Sequence, residues 1–178
     1  MRIYTKLASG SAATGPVLEE TYVTGFGVGR LLIAGELPIE HHLPAGVERA
    51  MSRLRRSSQW TLALERYFAG EPESFPLDVD ALAAAWDCTP FERDVYHALA
   101  RVPYGTVVTY RDLAAMAGRP NAYRAVGSAL ARNRLPVILP CHRVVLSDGC
   151  LGQYGDDPSW KARLLALEGL PVAGGRLA

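Results

Sequence analysis

Cysteine is scarce in this sequence: three in 178 residues, Cys88, Cys141 and Cys150. An odd count with no CxxC pair excludes a disulfide framework that uses all three, and in a reducing compartment they are free thiols. Four close ligands for a structural zinc are also lacking, so no metal is expected. The one histidine pair, His41-His42, stands beside Pro44 and reads as an exposed loop. Long apolar runs are missing too. No stretch approaches the ~20 residues that span a bilayer, and the start, MRIYTKLASGSAATG, lacks the apolar core of a signal peptide. These absences point to the cytoplasm and away from membranes. There is no internal repeat and no low-complexity tract.

What is present is the composition of an ordinary globular protein, 49% hydrophobic and 21% charged. The length suits one domain or two small ones and needs no covalent staple. The net charge of +1 hides an asymmetry. Residues 1–88 carry 8 basic and 11 acidic side chains, whereas residues 89–178 carry 11 basic and 7 acidic. Seven arginines (101, 111, 119, 124, 132, 134 and 143) share the stretch 101–143 with a single acid, Asp112. Two readings are open: a solvated arginine face, or a footprint for a polyanion.

The first part alternates strand candidates with glycine turns: Ile3–Lys6, Tyr22-Val23 and Arg30–Ala34. Residues 46–69 then suit one broken helix or two adjoining ones, stopped at Gly70. The acidic, proline-containing segment 71–80 reads as a linker, which divides the chain into domains 1–80 and 81–178. Beyond it the punctuation is sharper. Thr89-Pro90-Phe91-Glu92 is a capping box with proline at the first helical position, and Phe91, Val95, Ala98 and Leu99 share one face. Thr109 and Asp112 form a second box, opening a short helix that ends at Gly118. After the turn Arg119-Pro120-Asn121, a third helix spans about 122–132 with small residues Ala122, Ala125, Gly127, Ser128 and Ala129. Two helices joined by a short turn suggest a helix-turn-helix. The small residues fit either close packing on a neighbour or close approach to a narrow DNA groove.

Next comes Pro140-Cys141-His142-Arg143-Val144-Val145. Cys141 has two readings: a buried thiol acting as a small hydrophobe, or a nucleophile favoured by neighbouring histidine and arginine. Consecutive strand residues point to opposite faces, so His142 reaches the sulfur only if the backbone bends there or through water. Ser147-Asp148-Gly149 reads as a hairpin turn. Asp157-Pro158 opens a last helix, Ser159–Glu168, closed by Gly169.

PCHRVV, preceded by VPYGTVVTYRDLA and RAVGSALARNRLPVILP, resembles the O6-alkylguanine-DNA alkyltransferases, the methylated-DNA–protein-cysteine methyltransferases. The resemblance covers roughly residues 88–170, and the first part is similar only by position. It implies an α/β protein. A small, RNase H-like sheet-plus-helix domain would precede a mostly helical domain with a helix-turn-helix. It also implies a single-turnover reaction in which Cys141 takes the alkyl group from O6 of a flipped guanine and keeps it. His142 would receive the thiol proton through a water, with Glu168 fixing the imidazole tautomer. Asn133 would tie the recognition helix to the active-site strand, and Tyr110 would donate to the departing guanine. Arg124 would enter the duplex through the minor groove, on a helix face made of Ala122, Ala125, Gly127 and Ala129. Val144, Val145, Tyr154, Gly155 and Lys161 would line the base pocket. Asp156 and Asp157 depart from the small residues usual in that loop. The implied partner is double-stranded DNA read with little sequence preference. The protein would act as a monomer, without cofactor or metal. Two alternatives are a non-catalytic sensor of alkylguanine, whose known kind replaces the cysteine kept here, and an unrelated cysteine hydrolase.

Overall fold

The computed structural model describes residues 15–46, 58–155 and 157–178. The expected strand Ile3–Lys6, residues 47–57 of the expected helical stretch 46–69, and Asp156 lie outside these. The chain is a mixed α/β protein of two compact units that divide between Thr89 and Pro90. The division falls later than the 80/81 boundary drawn from composition, because the helix after the acidic segment packs on the first unit's sheet.

In the first unit, β1 (Val17–Thr24), β2 (Gly27–Ala34) and β3 (Leu37–Ala45) form an antiparallel sheet in chain order. Two-residue turns join them, and Gly35 supplies the left-handed conformation that the second turn needs, at φ 63°. Helix α1 (Gln59–Phe68) starts at Ser58, whose hydroxyl accepts the Thr61 amide. The buried carboxylate of Glu20 on β1 accepts from the Ser58 amide at 3.0 Å and the Thr61 hydroxyl at 3.2 Å, fixing the helix start against the sheet. Trp60, Leu64, Tyr67 and Phe68 bury the helix face. Helix α2 (Val79–Ala85) is capped by Asp78, and the indole of Trp86 donates to the Ile39 carbonyl of β3 at 3.0 Å.

His41 and His42 are not in a loop: they lie within β3, and the alternation of the strand buries the first and exposes the second. His41 is satisfied internally by the Tyr22 hydroxyl at 2.6 Å, while His42 faces Glu40 on the surface. Among the described residues no group of three or more His, Cys, Asp or Glu is placed to hold a metal ion. Nor is any of their helices long and apolar enough to cross a membrane.

The second unit begins with α3 (Pro90–Ala100) at the proline that the sequence marks, burying Val95, Ala98 and Leu99. The two-residue strand β4 (Val108–Thr109) leads directly into α4 (Tyr110–Met116). The capping box is present: Thr109 Oγ1 accepts from the Asp112 amide at 3.1 Å, and Asp112 accepts from the Thr109 amide at 3.0 Å. Helix α5 (Tyr123–Ala131) follows a turn and packs on both α3 and α4. The Tyr96 hydroxyl of α3 reaches the Ala129 carbonyl at 3.0 Å. Strand β5 (Val144–Val145) pairs in parallel with β4, and α6 (Ser159–Leu167) precedes a small hairpin of β6 (Val172–Ala173) and β7 (Arg176–Leu177).

Candidate active site

Cys141 opens a 3-10 turn, Cys141–Arg143, immediately before β5. The expected strand therefore starts three residues late. Pro140, which cannot continue a ladder, precedes the bend, and the Arg143 amide closes it on the Pro140 carbonyl at 3.0 Å. A 3-10 turn rotates successive side chains by about a third of a circle rather than a half. Cys141 is thus partly exposed while His142 and Arg143 are buried.

Asn133, two residues past the end of α5, holds this bend. Its amide nitrogen donates to the Leu139 carbonyl at 2.9 Å and to Cys141 Sγ at 3.0 Å, and its oxygen accepts the Leu135 amide at 2.9 Å. Burial pushes the Cys141 thiol up from its usual range. The Asn133 donor, the Lys161 charge and the Tyr154 hydroxyl pull the other way without reversing it. The resting sulfur is therefore a thiol and not a thiolate.

His142 and Glu168 meet as the sequence suggests, at 2.7 Å between Nε2 and Oε1. Burial lowers the imidazole pKa, outweighing the adjacent carboxylate, so the ring is neutral. Burial alone would raise the Glu168 carboxyl, but hydrogen bonds from His142 and Arg143 take it down to about 2. An ionised Glu168 accepts from Nε2–H and leaves Nδ1 as the basic nitrogen of the ring. Glu168 is positioned by the end of α6. The Gly169 amide donates to the Ala166 carbonyl and the Leu170 amide to the Leu165 carbonyl, a Schellman closure with Gly169 at φ 81°. Leu170 packs back onto buried Leu165, completing the motif.

Arg143 has a role that sequence reasoning missed. Its guanidinium grips Glu168 through Nε at 2.9 Å and a terminal nitrogen at 2.9 Å, while the other terminal nitrogen donates to the Val102 carbonyl at 2.7 Å. The Gly105 amide adds a further donor to Glu168 at 3.0 Å, from a turn where φ is 70°. The available signal was an arginine directly after Cys-His together with a Pro-Tyr-Gly turn. Neither has a period that marks it as a partner of a glutamate 25 residues on.

The remaining residues divide. Tyr110, first residue of α4, is half-buried; burial and then the nearby Cys141 raise its pKa, which keeps the phenol protonated. Tyr154 is buried, Gly155 is exposed, and Val144 and Val145 are buried in β5. Lys161 is almost wholly buried and donates to the carbonyls of Val144 and Leu151. Asp157 is exposed and accepts the Ser159 amide at 2.9 Å, so it serves the start of α6.

On α5, Arg124 and Ala125 are exposed, and Ala122 and Gly127 half-buried. Ala129 is a correction: it has no exposed surface, because that part of the helix is held onto α3 by Tyr96, and so it offers nothing to a partner. The arginine cluster also divides. Arg143 is inside, Arg119 pairs with Asp94 at 2.9 Å, and Arg132 pairs with Glu92 at 2.7 Å. The exposed face that remains includes Arg111 and Arg124.

Residues 90–170 match the family model described as the DNA-binding domain of 6-O-methylguanine DNA methyltransferase. A methylated-DNA–protein-cysteine methyltransferase of Methanosarcina barkeri is 46% identical over 105 residues, covering 59% of this chain and 63% of that one. One from Methanopyrus kandleri is 43% identical over 133 residues, covering 75% of this chain and 92% of that one. In three dimensions the chain is similar to the crystal structure of Mycobacterium tuberculosis O6-methylguanine methyltransferase. The TM-score is 0.68 at 29% identity, covering 85% of this chain and 92% of that one. The same tuberculosis protein in complex with DNA aligns with a TM-score of 0.65 at 30% identity, covering 84% of this chain and 91% of that one.

Proposed function

The chain belongs to the methylated-DNA–protein-cysteine methyltransferase family, and on that premise we propose that it repairs O6-alkylguanine in duplex DNA by irreversible transfer of the alkyl group to Cys141. The observation that carries this reading is a half-buried cysteine, its sulfur held by Asn133, directly beside the buried His142–Glu168–Arg143 assembly.

The sulfur attacks the alkyl carbon, a carbon–sulfur bond forms, and the carbon–oxygen bond to guanine breaks. The thiol proton passes to the basic Nδ1 of His142 through a water. Glu168 stabilises the imidazolium that forms. Tyr110, still protonated, gives its proton to the departing purine, whose anion is a poor leaving group, and recovers one from the His142 imidazolium through solvent, so the thiol's proton ends on guanine. The thioether is stable, so one chain repairs one base. Neither metal nor cofactor enters the balance.

The target carbon is out of reach inside the stack, so the base is flipped, at a cost of a few kcal/mol. Helices α4 and α5 act as a helix-turn-helix that enters the minor groove, with Arg124 filling the gap in the stack. Ala122, Ala125 and Gly127 allow close approach, and the degenerate code of that groove gives little sequence preference. The pocket would use Val144, Val145, Tyr154, Gly155 and Lys161. The first unit would have an RNase H-like fold, and the protein works as a cytoplasmic monomer.

The test is mass spectrometry after incubation with a short duplex containing O6-methylguanine. One methyl mass per chain, located at Cys141, is expected. Methyl uptake by Cys141→Ser would remove the basis of the mechanism.

A further inference from the structure

Lys161 is an unusual residue to bury. An ammonium group taken out of water is costly unless its hydrogens are met. Among the described residues, its hydrogen-bond partners are two backbone carbonyls rather than a carboxylate. One carbonyl belongs to Val144 of β5, at 2.6 Å; the other belongs to Leu151, at the base of the loop that carries Tyr154. Its Nζ also lies 6.0 Å from the centre of the Tyr110 ring on α4. Three walls of the proposed pocket converge on this group.

Leu151 is fastened from its other side as well. Its amide donates to the Gly175 carbonyl at 2.9 Å, and the Leu177 amide donates to the Gly149 carbonyl at 3.0 Å. The hairpin therefore fixes the outer edge of the loop base; at the inner edge the Leu146 amide donates to the Cys150 carbonyl at 2.9 Å, and Lys161 adds the tie between the Val144 and Leu151 carbonyls.

We propose that Lys161 is a positioning residue for alkyl transfer: its ammonium group ties the Val144 strand to the Leu151 loop, and does so fully only while protonated. The role rests on the proposed transfer to Cys141. A neutral amine has two hydrogens and no charge to strengthen either bond. Burial brings the Lys161 pKa down to about 8, with Cys141 opposing, so protonation changes within an accessible range. Other titratable groups around it act elsewhere on the pH scale. His142 is shifted to lower pH, and Cys141 and Tyr110 to higher. Tyr154 lies on the loop being held, and Arg143 and Glu168 form their own pair.

The experiment uses transfer from O6-benzylguanine as free base, which needs no DNA binding, across pH 6.5–9.5. Lys161→Met is expected to slow transfer at pH 7 by roughly 10- to 100-fold, the range of a lost charged hydrogen bond. Lys161→Arg keeps its charge at every pH tested. The wild-type rate divided by the Lys161→Arg rate should fall about fourfold between pH 7 and 8.5, following the lysine's own protonation. This ratio cancels the titration of Cys141, His142 and Tyr110. If the substitutions disturb folding, the side-chain carbon resonance of Lys161 in the wild-type protein reads the same titration directly. A wild-type rate ratio independent of pH, a Lys161→Met chain as fast as wild type, or a Lys161 titration above pH 10 overturns the proposal. A wild-type chain that takes no alkyl group from the free base or from a duplex containing O6-methylguanine fails the proposed function instead.

Discussion

Replacing Glu168 with glutamine keeps the shape of the side chain and removes its charge. The wild-type carboxylate accepts from His142, Arg143 and the Gly105 amide in a site that is 5% exposed. Its pKa falls from an ordinary 4.5 to about 2 on folding. A depressed acid contributes stability that is fully present above its unfolded pKa and disappears as the pH falls through the folded one. At 1.36 kcal/mol per pH unit, this amounts to about 3 kcal/mol at neutral pH. The independent expectation for breaking a buried ion pair, about 3–5 kcal/mol, agrees, since Arg143 would be left inside without its counter-charge. Urea unfolding of wild type and Glu168→Gln should therefore differ by about 3 kcal/mol at pH 7, shrinking to about 1 kcal/mol at pH 3 as the wild-type carboxyl approaches protonation. His142 loses in Glu168→Gln the carboxylate that favours its charge, so its own titration is followed by NMR in both chains and subtracted. A difference below 1 kcal/mol at pH 7, or one that stays constant down to pH 3, refutes the assignment of Glu168 as the charged centre of the site.

Asn133→Ala removes donors to the Leu139 carbonyl and the Cys141 sulfur, and the acceptor for the Leu135 amide. Stability should drop by about 1–3 kcal/mol, and the Cys141 thiol should titrate at higher pH when its alkylation is followed by site-resolved mass spectrometry; an unchanged titration contradicts the role. Arg124→Ala alters an exposed residue on α5. It should weaken duplex binding, and reduce its salt slope by about one, without changing transfer from the free base; equal losses in both assays would place Arg124 in the chemistry instead.

Much of the second unit was legible because its signals are local. Pro90 and the Thr109–Asp112 box mark helix starts, and Gly169 marks the stop that places Glu168. What escaped depended on partners distant in sequence. Strand β3 carries Pro38, Pro44, His41 and His42, a composition that suggests a loop, yet it pairs with β2 over most of its length and buries His41 against Tyr22. Nothing near Arg143 reveals that it will spend its charge on Glu168. Ala129 looks like its neighbours in a small-residue helix, but helical phase turns it inward. The protonation of the Cys141 sulfur was hidden in a similar way. Its neighbours in sequence are basic, but the enclosure around it is what decides its protonation.

The parallel pair β4–β5 is only two residues long on each side, joining Val108 to Val144 and Thr109 to Val145. Thr109 is also the cap of α4, and Val144 follows the turn that bears Cys141 by a single peptide. The beginning of one helix and the seat of Cys141 are thus registered through one short ladder. A duplex docking against that helix would need no separate signal to align its extruded base with the sulfur. On the proposed function, the surface that bears the duplex and the atom that reacts would share that one register.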